Sequence, residues 1–293
     1  MCATRRSSPE GIKDGEIAFF GGSFTAIDRD YMIELLSSAQ EFIGENGFKG
    51  IRISTRPDAV DGEICDILEK YRVTAVELGA QSTNDKVLAM NRRGHTREDI
   101  FRSARLLKER GFELGLQMMT GLYGSNDEDS IGTARDIISL LPDTARIYPT
   151  VVIENTELAE LYRNGEYRPQ TPEEAAVLCA KILPMFENAG IKVIRLGLHS
   201  GGDVEGSFVA GAYHPALREM CEGHIYFDII NRALSGKEKG KYIIYVAPRE
   251  ISKASGQRRC NIEKLRELGY ECRIKENAAL SARDITLEKV NLL

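Results

Sequence analysis

The chain has 293 residues, of which 42% are hydrophobic and 28% charged, with a formal net charge of -5. That length fits one large α/β domain with a small appendage, and the charge excludes a global basic field for nucleic acid while leaving a local basic patch open. No stretch approaches the roughly 20 apolar residues of a membrane span, and the opening MCATRRSSPEG lacks the apolar run of a secretory signal, so a cytoplasmic protein with no membrane association is expected.

Residues 1–15 read as a disordered or extended N-terminus. The run Glu16–Phe20 (EIAFF) is a strand that ends at Gly21-Gly22, and Asp30–Glu45 follows as a helix, with Tyr31, Leu35, Leu36 and Phe42 able to share one face. Gly50–Ser54 is a strand, Asp61–Lys70 a helix, Val73–Gly79 a strand, and Arg97–Arg110 a helix stopped by Gly111. Glu113–Met119 is the next strand, then Asp127–Leu141 as a helix closed by Pro142, and Ala145–Val152 as a strand in which Pro149 marks an end or an edge. Pro172–Ala189 is a helix and Ile191–Leu198 a strand.

This alternation argues for a parallel sheet with helices outside it, open or closed into a barrel. The linker-like Ser200–Ser207 (SGGDVEGS) suggests a boundary, giving one domain over 16–200 and a C-terminal region over 201–293. In that region Tyr242–Ala247 and Glu271–Lys275 read as strands and Asn261–Leu268 as a helix, a small α+β appendage.

Unusual residues gather where strands end. Gly21, Gly22 and Ser23 follow the first strand, Ser54, Thr55 and Arg56 end the second, Glu77 and Gln81 mark the third, Gln117 lies near the end of the fourth, and Tyr148 closes the fifth. In parallel α/β proteins the loops at the carboxyl ends of strands converge on one mouth, so this set predicts a binding site. Gly21-Gly22 lets backbone groups approach a ligand with no Cβ in the way. Gln81 and Gln117 each donate and accept, which suits a ribose or an amino-acid head. Arg93, in Asn91-Arg92-Arg93-Gly94, can fork onto a carboxylate. Each also has an ordinary reading, as a tight turn, a satisfied amide or a solvated arginine. Glu77 is the only carboxylate of the set, so no acid–base pair for conventional barrel catalysis stands out.

The segments FFGGSFT (19–25), ISTRPD (53–58), VELGAQS (76–82), NRRGHT (91–96), LQMMTGL (116–122) and RIYPTVVIENTEL (146–158) together resemble the radical S-adenosylmethionine (SAM) domain of the Elongator catalytic subunit, and most closely its short bacterial forms without an acetyltransferase domain. The resemblance covers roughly residues 15–200. It implies a partial (βα)6 barrel that binds SAM at its carboxyl mouth. By similarity to barrels such as oxygen-independent coproporphyrinogen oxidase, Gly21, Gly22 and Ser23 contact the methionine moiety, and Ser54, Gln81, Arg93 and Gln117 fall at further SAM positions, with Glu77 beside them. That oxidase carries a Glu where Ser54 stands and an Asp where Gln117 stands, so these two positions depart from its pattern.

The family also implies a 4Fe–4S cluster, held by CxxxCxxC on the loop after the first barrel strand. The six cysteines here, Cys2, Cys65, Cys179, Cys221, Cys260 and Cys272, are nowhere closer than 12 positions apart. The expectation is therefore a barrel that lacks its first strand and cluster loop and is inactive alone in radical generation. Uncovered strand edges then favour a homo-oligomer. The implied family activity is reductive SAM cleavage to modify RNA, a tRNA uridine being the substrate of the Elongator subunit. The alternative is a cluster-free SAM- or nucleotide-binding barrel with a non-catalytic role. His199, His214 and His224 lack metal-ligand spacing and read as hydrogen-bonded or surface groups. Ser255-Gly256-Gln257-Arg258-Arg259 weakly resembles a KH-type RNA clamp, with Arg259 where that module needs its second glycine, and reads equally as a solvated loop.

Overall fold

The computed structural model describes residues 15–45, 47–198 and 206–290. Cys2, His199 and residues 200–205 of the linker-like stretch lie outside the described residues, as do positions 1–14 of the N-terminal segment. The described chain divides into two compact units, one running up to Tyr148 and adding Met185–Arg195, the other made of Pro149–Pro184 and the chain from Leu196 onward.

The strands in chain order are β1 (Glu16–Phe19), β2 (Gly50–Thr55), β3 (Val73–Gln81), β4 (Glu113–Thr120), β5 (Thr144–Pro149), β6 (Val151–Ile153), β7 (Lys192–Leu196), β8 (Phe208–Gly211), β9 (Gly240–Val246), β10 (Tyr270–Glu276) and β11 (Ile285–Lys289). The helices used below are α1 (Arg29–Gln40), α2 (Gly62–Lys70), α3 (Asp85–Met90), α4 (Arg97–Glu109), α5 (Asp127–Ser139), α6 (Glu157–Arg163), α7 (Pro172–Asn188), α8 (Leu217–Leu234), α9 (Ile251–Ser255) and α10 (Cys260–Glu267).

Six strands form one sheet in the order β1-β2-β3-β4-β5-β7, a parallel half-barrel. In-register residues of parallel neighbours share a face. One face carries Ile51 and Ile53, Val76 and Leu78, Leu114 and Leu116, Ala145 and Ile147, all buried. Helices α2, α4 and α5 contact it, presenting buried residues such as Leu68, Leu107 and Ile137. The starts of α4 and α5 are fixed by capping boxes, Thr96 with Asp99 and Asn126 with Asp129.

Three readings of the sequence need correction. The first helix stops at Gln40, and its buried face is Met32, Leu36 and Ala39, while Tyr31 and Phe42 are exposed. The i, i+4, i+7 row won over the aromatic residues, one of which falls beyond the helix end. The run 145–152 is two strands: β5 stays in the six-stranded sheet while β6 pairs antiparallel with β8. Pro149 has no N–H to continue a ladder, and the chain leaves the sheet there. Helix α8, unread in the sequence, contains Gly223, which lies beside the backbone of Gly256 and Lys253.

In the second unit, α8 lies against a three-stranded sheet of order β10-β9-β11, with β9 and β10 parallel and β11 antiparallel. Tyr226, Ile230 and Leu234 of α8 meet Tyr242, Ile244 and Val246 of β9 in one buried cluster. The connection between β9 and β10 is pinned by Asn261, which is buried and donates through Nδ2 to the carbonyls of Gly223 (2.8 Å) and Ala254 (3.1 Å). Asn261→Ala leaves both carbonyls without that donor, and the expected loss is about 1–3 kcal/mol, read as a lowered urea midpoint at unchanged slope.

Candidate functional site

The helix-free face of the half-barrel is charged. Glu77 on β3 is 4% exposed and is gripped by Arg146 of β5, which donates from Nε (2.5 Å) and Nη2 (2.8 Å) to its two oxygens. Arg52 of β2 lies 3.6 Å from Glu77 and donates to Glu16 of β1 and Glu113 of β4, both at 2.7 Å. Gly115 makes room for this layer: a Cβ there would sit 2.8 Å from the Glu77 Cγ and 3.1 Å from the Thr144 hydroxyl. Burial opposes the charge on Glu16, but the Thr74 hydroxyl at 2.7 Å and the Arg52 guanidinium outweigh it and hold the carboxyl below its usual range. Burial likewise opposes the charge on Arg146, and the Glu77 carboxylate reverses the sign and raises it.

Above this layer lie the strand ends. Gly21 takes φ +109°, and a Cβ on Gly21 or Gly22 would meet nothing within 4 Å, so the backbone stands open on that side. Ser23 precedes a short 3-10 turn, Phe24–Ala26, without capping it. The turn is tied to β2 through two threonines. The Thr25 N–H donates to the Thr55 hydroxyl (3.3 Å), the two hydroxyls are 2.6 Å apart, and Thr25 donates onward to the Ala59 carbonyl. Ser54 is in register with Glu77, and Arg56 is paired with Asp58.

Gln81 ends β3 with φ +62°, past an irregularity in its pairing with β4. It is buried, and its Oε1 accepts from Gln117 Nε2 at 3.2 Å. The preceding carbonyl, of Ala80, lies 3.0 Å from His95 Nε2. A carbonyl only accepts, so Nε2 donates to it, while Nδ1 is buried without a hydrogen-bond partner. Two residues earlier, Arg93 has a buried Nε with no hydrogen-bond partner. Burial, with Arg56 close by, pulls its guanidinium below the ordinary value.

The structure thus brings Gly21, Gly22, Ser23, Gln81 and Gln117 to or near the carboxyl ends of β1, β3 and β4, with Arg93 on the loop after α3, while Ser54, near the end of β2, stands level with Glu77 in the layer below. Strands β1 and β4 are three steps of about 4.8 Å apart, roughly 14 Å in all, which suits an elongated ligand. Glu77 sits four residues below the end of β3 with its carboxylate occupied, and Tyr148 is 3.4 Å from Arg146 Nη1. Sequence reading missed Arg146, His95 and the Thr25–Thr55 tie. Only the alternation of Arg146 with the apolar Ala145 and Ile147 could have shown which face it takes.

The cysteines do not join this site. Cys65, Cys179, Cys221 and Cys272 are buried and Cys260 is exposed, and among the described residues no group of three His, Cys, Asp or Glu is placed to hold a metal ion. No described helix is long and apolar enough to cross a membrane.

The half-barrel thus carries an open glycine turn and an arginine with a buried, unpartnered Nε at the carboxyl side of its strands, the side on which ligands sit in parallel α/β folds. A sequence profile described as the Radical SAM superfamily matches residues 9–137, and one described as the Radical_SAM C-terminal domain matches 142–226. The chain belongs to the radical SAM superfamily. It is 31% identical over 180 residues to a "tRNA uridine(34) acetyltransferase" of Methanocaldococcus infernus, covering 55% of this chain and 34% of that protein. It is 34% identical over 197 residues to mouse "Elongator complex protein 3", covering 58% and 35% respectively. The match spans about a third of each of these two relatives. Among solved structures, the archaeal Elp3 of M. infernus with residues 1–46 deleted superposes with a TM-score of 0.60 at 25% identity, over 73% of this chain and 58% of that one.

Two outcomes follow from the charged layer. Glu77→Gln leaves Arg146 and Arg52 without their shared carboxylate, and the expected destabilisation is about 3–5 kcal/mol in urea unfolding, whereas replacing Glu77 and Arg146 together by Met costs far less. The Glu16 carboxyl is lowered on folding from its ordinary 4.5. Its contribution is therefore present above that pH and is lost as pH falls through the lower folded value. Urea midpoints of Glu16→Gln will show a flatter acid limb than those of the parent.

Proposed function

We propose that the strand-end site binds SAM, with Arg93 on the ligand carboxylate, Gly21, Gly22 and Ser23 against its methionine part, and Ser54, Gln81 and Gln117 on the remaining polar groups. The observation that carries this reading is the buried Nε of Arg93, a cationic donor with no partner. Burying such a group is unfavourable unless an anion completes it. The Gln81–Gln117 pair keeps donors and acceptors for a hydroxyl or amino group. Glu77, engaged from two sides, positions β3 and β5 beneath the ligand.

The radical SAM family and relatives that include a tRNA uridine(34) acetyltransferase support an RNA substrate, a tRNA uridine in particular, and a cytoplasmic enzyme. When bound with a 4Fe–4S cluster, SAM supplies radical chemistry; the protein's part is to hold it and exclude water. The described residues offer no thiolate set for that cluster. This polypeptide by itself accordingly does not assemble a site-differentiated cluster. The same observation favours a second reading, a barrel that binds SAM or a nucleotide without radical chemistry.

Calorimetric titration of metal-free protein with SAM tests the site. Arg93→Met is expected to weaken binding about 10- to 150-fold, the worth of a charged hydrogen bond, with folding unchanged. No heat with the parent protein would remove the reading. Stoichiometric iron and sulfide after anaerobic reconstitution of this polypeptide would overturn the statement about the cluster.

A further inference from the structure

A large aromatic side chain stands exposed on the inner face of the half-barrel. Phe20 follows β1 and precedes the open Gly21-Gly22 turn, and it is 53% exposed. Its neighbour Phe19 points to the other side, where its ring stacks on Phe24 at 4.9 Å. Alternation from Glu16, whose carboxylate meets Arg52 on the inner face, carries Phe20 to that same face. A direct contact shows the result: the Arg146 guanidinium lies over the Phe20 ring, 5.5 Å from its centre.

That contact crosses the concavity. Strands β1 and β5 are four steps apart in the sheet, about 19 Å measured along it, so the two side chains meet over the inner face. Arg146 is not free to follow a ligand, because Glu77 holds it through two hydrogen bonds. The guanidinium therefore occupies one face of the ring and fixes its tilt, while more than half of the side chain stays open. The register of Phe19 with Ile53 puts Phe20 beside Ser54, and the Tyr148 hydroxyl is 3.4 Å from Arg146. An apolar plate with hydroxyls at its margin offers stacking to a flat ring and hydrogen bonds to that ring's edge. An aliphatic chain would use neither.

We infer that Phe20 is the stacking platform for a nucleobase, which lies on its free face with Ser54 and Tyr148 at the edge. The class of ligand rests on the reading above, in which SAM, through its adenine, and an RNA substrate both carry such a base. An aromatic platform accepts either, because every base has a π face. Phe20 is thereby a positioning residue that sets the height of the base above the Glu77–Arg146 pair.

The chain contains no tryptophan, so Phe20→Trp places a single indole reporter at the platform. Titration of this full-length variant with SAM, and separately with a short oligouridylate, is expected to quench its emission by stacking. Quenching by SAM assigns the platform to adenine, quenching by oligouridylate to a substrate base, and either supports the inference. Phe42→Trp, at a comparably exposed position beyond the end of α1, is expected to stay unquenched. Phe20→Leu keeps an apolar side chain but no flat face. It is expected to weaken binding of the quenching ligand about 5- to 150-fold in calorimetry, with Phe20→Tyr restoring it. Absence of quenching by both ligands, equal quenching at position 42, or a Phe20→Leu variant that loses only urea stability would overturn the inference. Heat from the parent protein with SAM, while position 20 reports neither ligand, sinks the platform alone. Quenching by oligouridylate without heat from SAM sinks the SAM reading alone.

Discussion

The arrangement depends on placing charge inside a parallel half-barrel. A strand alternates its side chains, so burying one row of β2, β3, β4 and β5 against helices forces the other row onto the inner face. There the chain has put Glu16, Arg52, Glu77, Glu113 and Arg146. None of these charges is tolerable alone in a partly dry interior, and each is tolerable in the closed set. Such a set also specifies register. A slip of one residue in β3 would carry Glu77 to the helix side and leave both arginines unpaired. The net stability from a buried ion network is small, but the cost of misplacing any member is large, so the network acts chiefly on which pairing is allowed.

From that layer the mouth follows by counting along the strands. Four residues above Glu77 the chain reaches Gln81, where the left-handed turn and the pairing irregularity redirect the strand end. His95 holds the carbonyl just before it, and Gln117 meets its side chain. Carboxylates have been spent below, in ion pairs, while donors and one free guanidinium remain above. On the SAM-binding reading, such a site grips its ligand chiefly through that guanidinium. It suits a ligand that brings its own reactivity and needs to be gripped at a charged end.

Much of this was legible in the sequence because parallel strands buried on one face read as short apolar runs with fixed turn residues. All six strands of the half-barrel, and the mouth residues Gly21, Gly22, Ser54, Gln81 and Gln117, follow from runs ending in unusual residues. Other features were hidden for identifiable reasons. Arg146 lies between Ala145 and Ile147 in a run that reads as a buried strand, and nothing local says that its partner is 69 positions earlier. Helix α8 was obscured by Gly223, a poor helix former in its interior. Tyr31 and Phe42 misled because aromatic residues were weighed above spacing, and α1 ends before the second of them.

The overall charge of -5 gives no guide to the charge of any one patch, and physical scale explains why. At physiological ionic strength a charge is screened beyond about 8 Å. An anion approaching the outer strand β10 therefore responds to Arg273, Lys275 and their immediate neighbours, not to carboxylates across the molecule. Of those neighbours, Glu271 is paired with Lys241, while Glu276 accepts the Arg249 N–H. A chain that is acidic in total can thus present a cationic surface wherever its acids are locally matched. The same bookkeeping applies at the half-barrel mouth, where Arg93 is left over after Arg56 has found Asp58. In both places the informative quantity is the residue of charge after local pairing, which composition conceals and coordinates reveal.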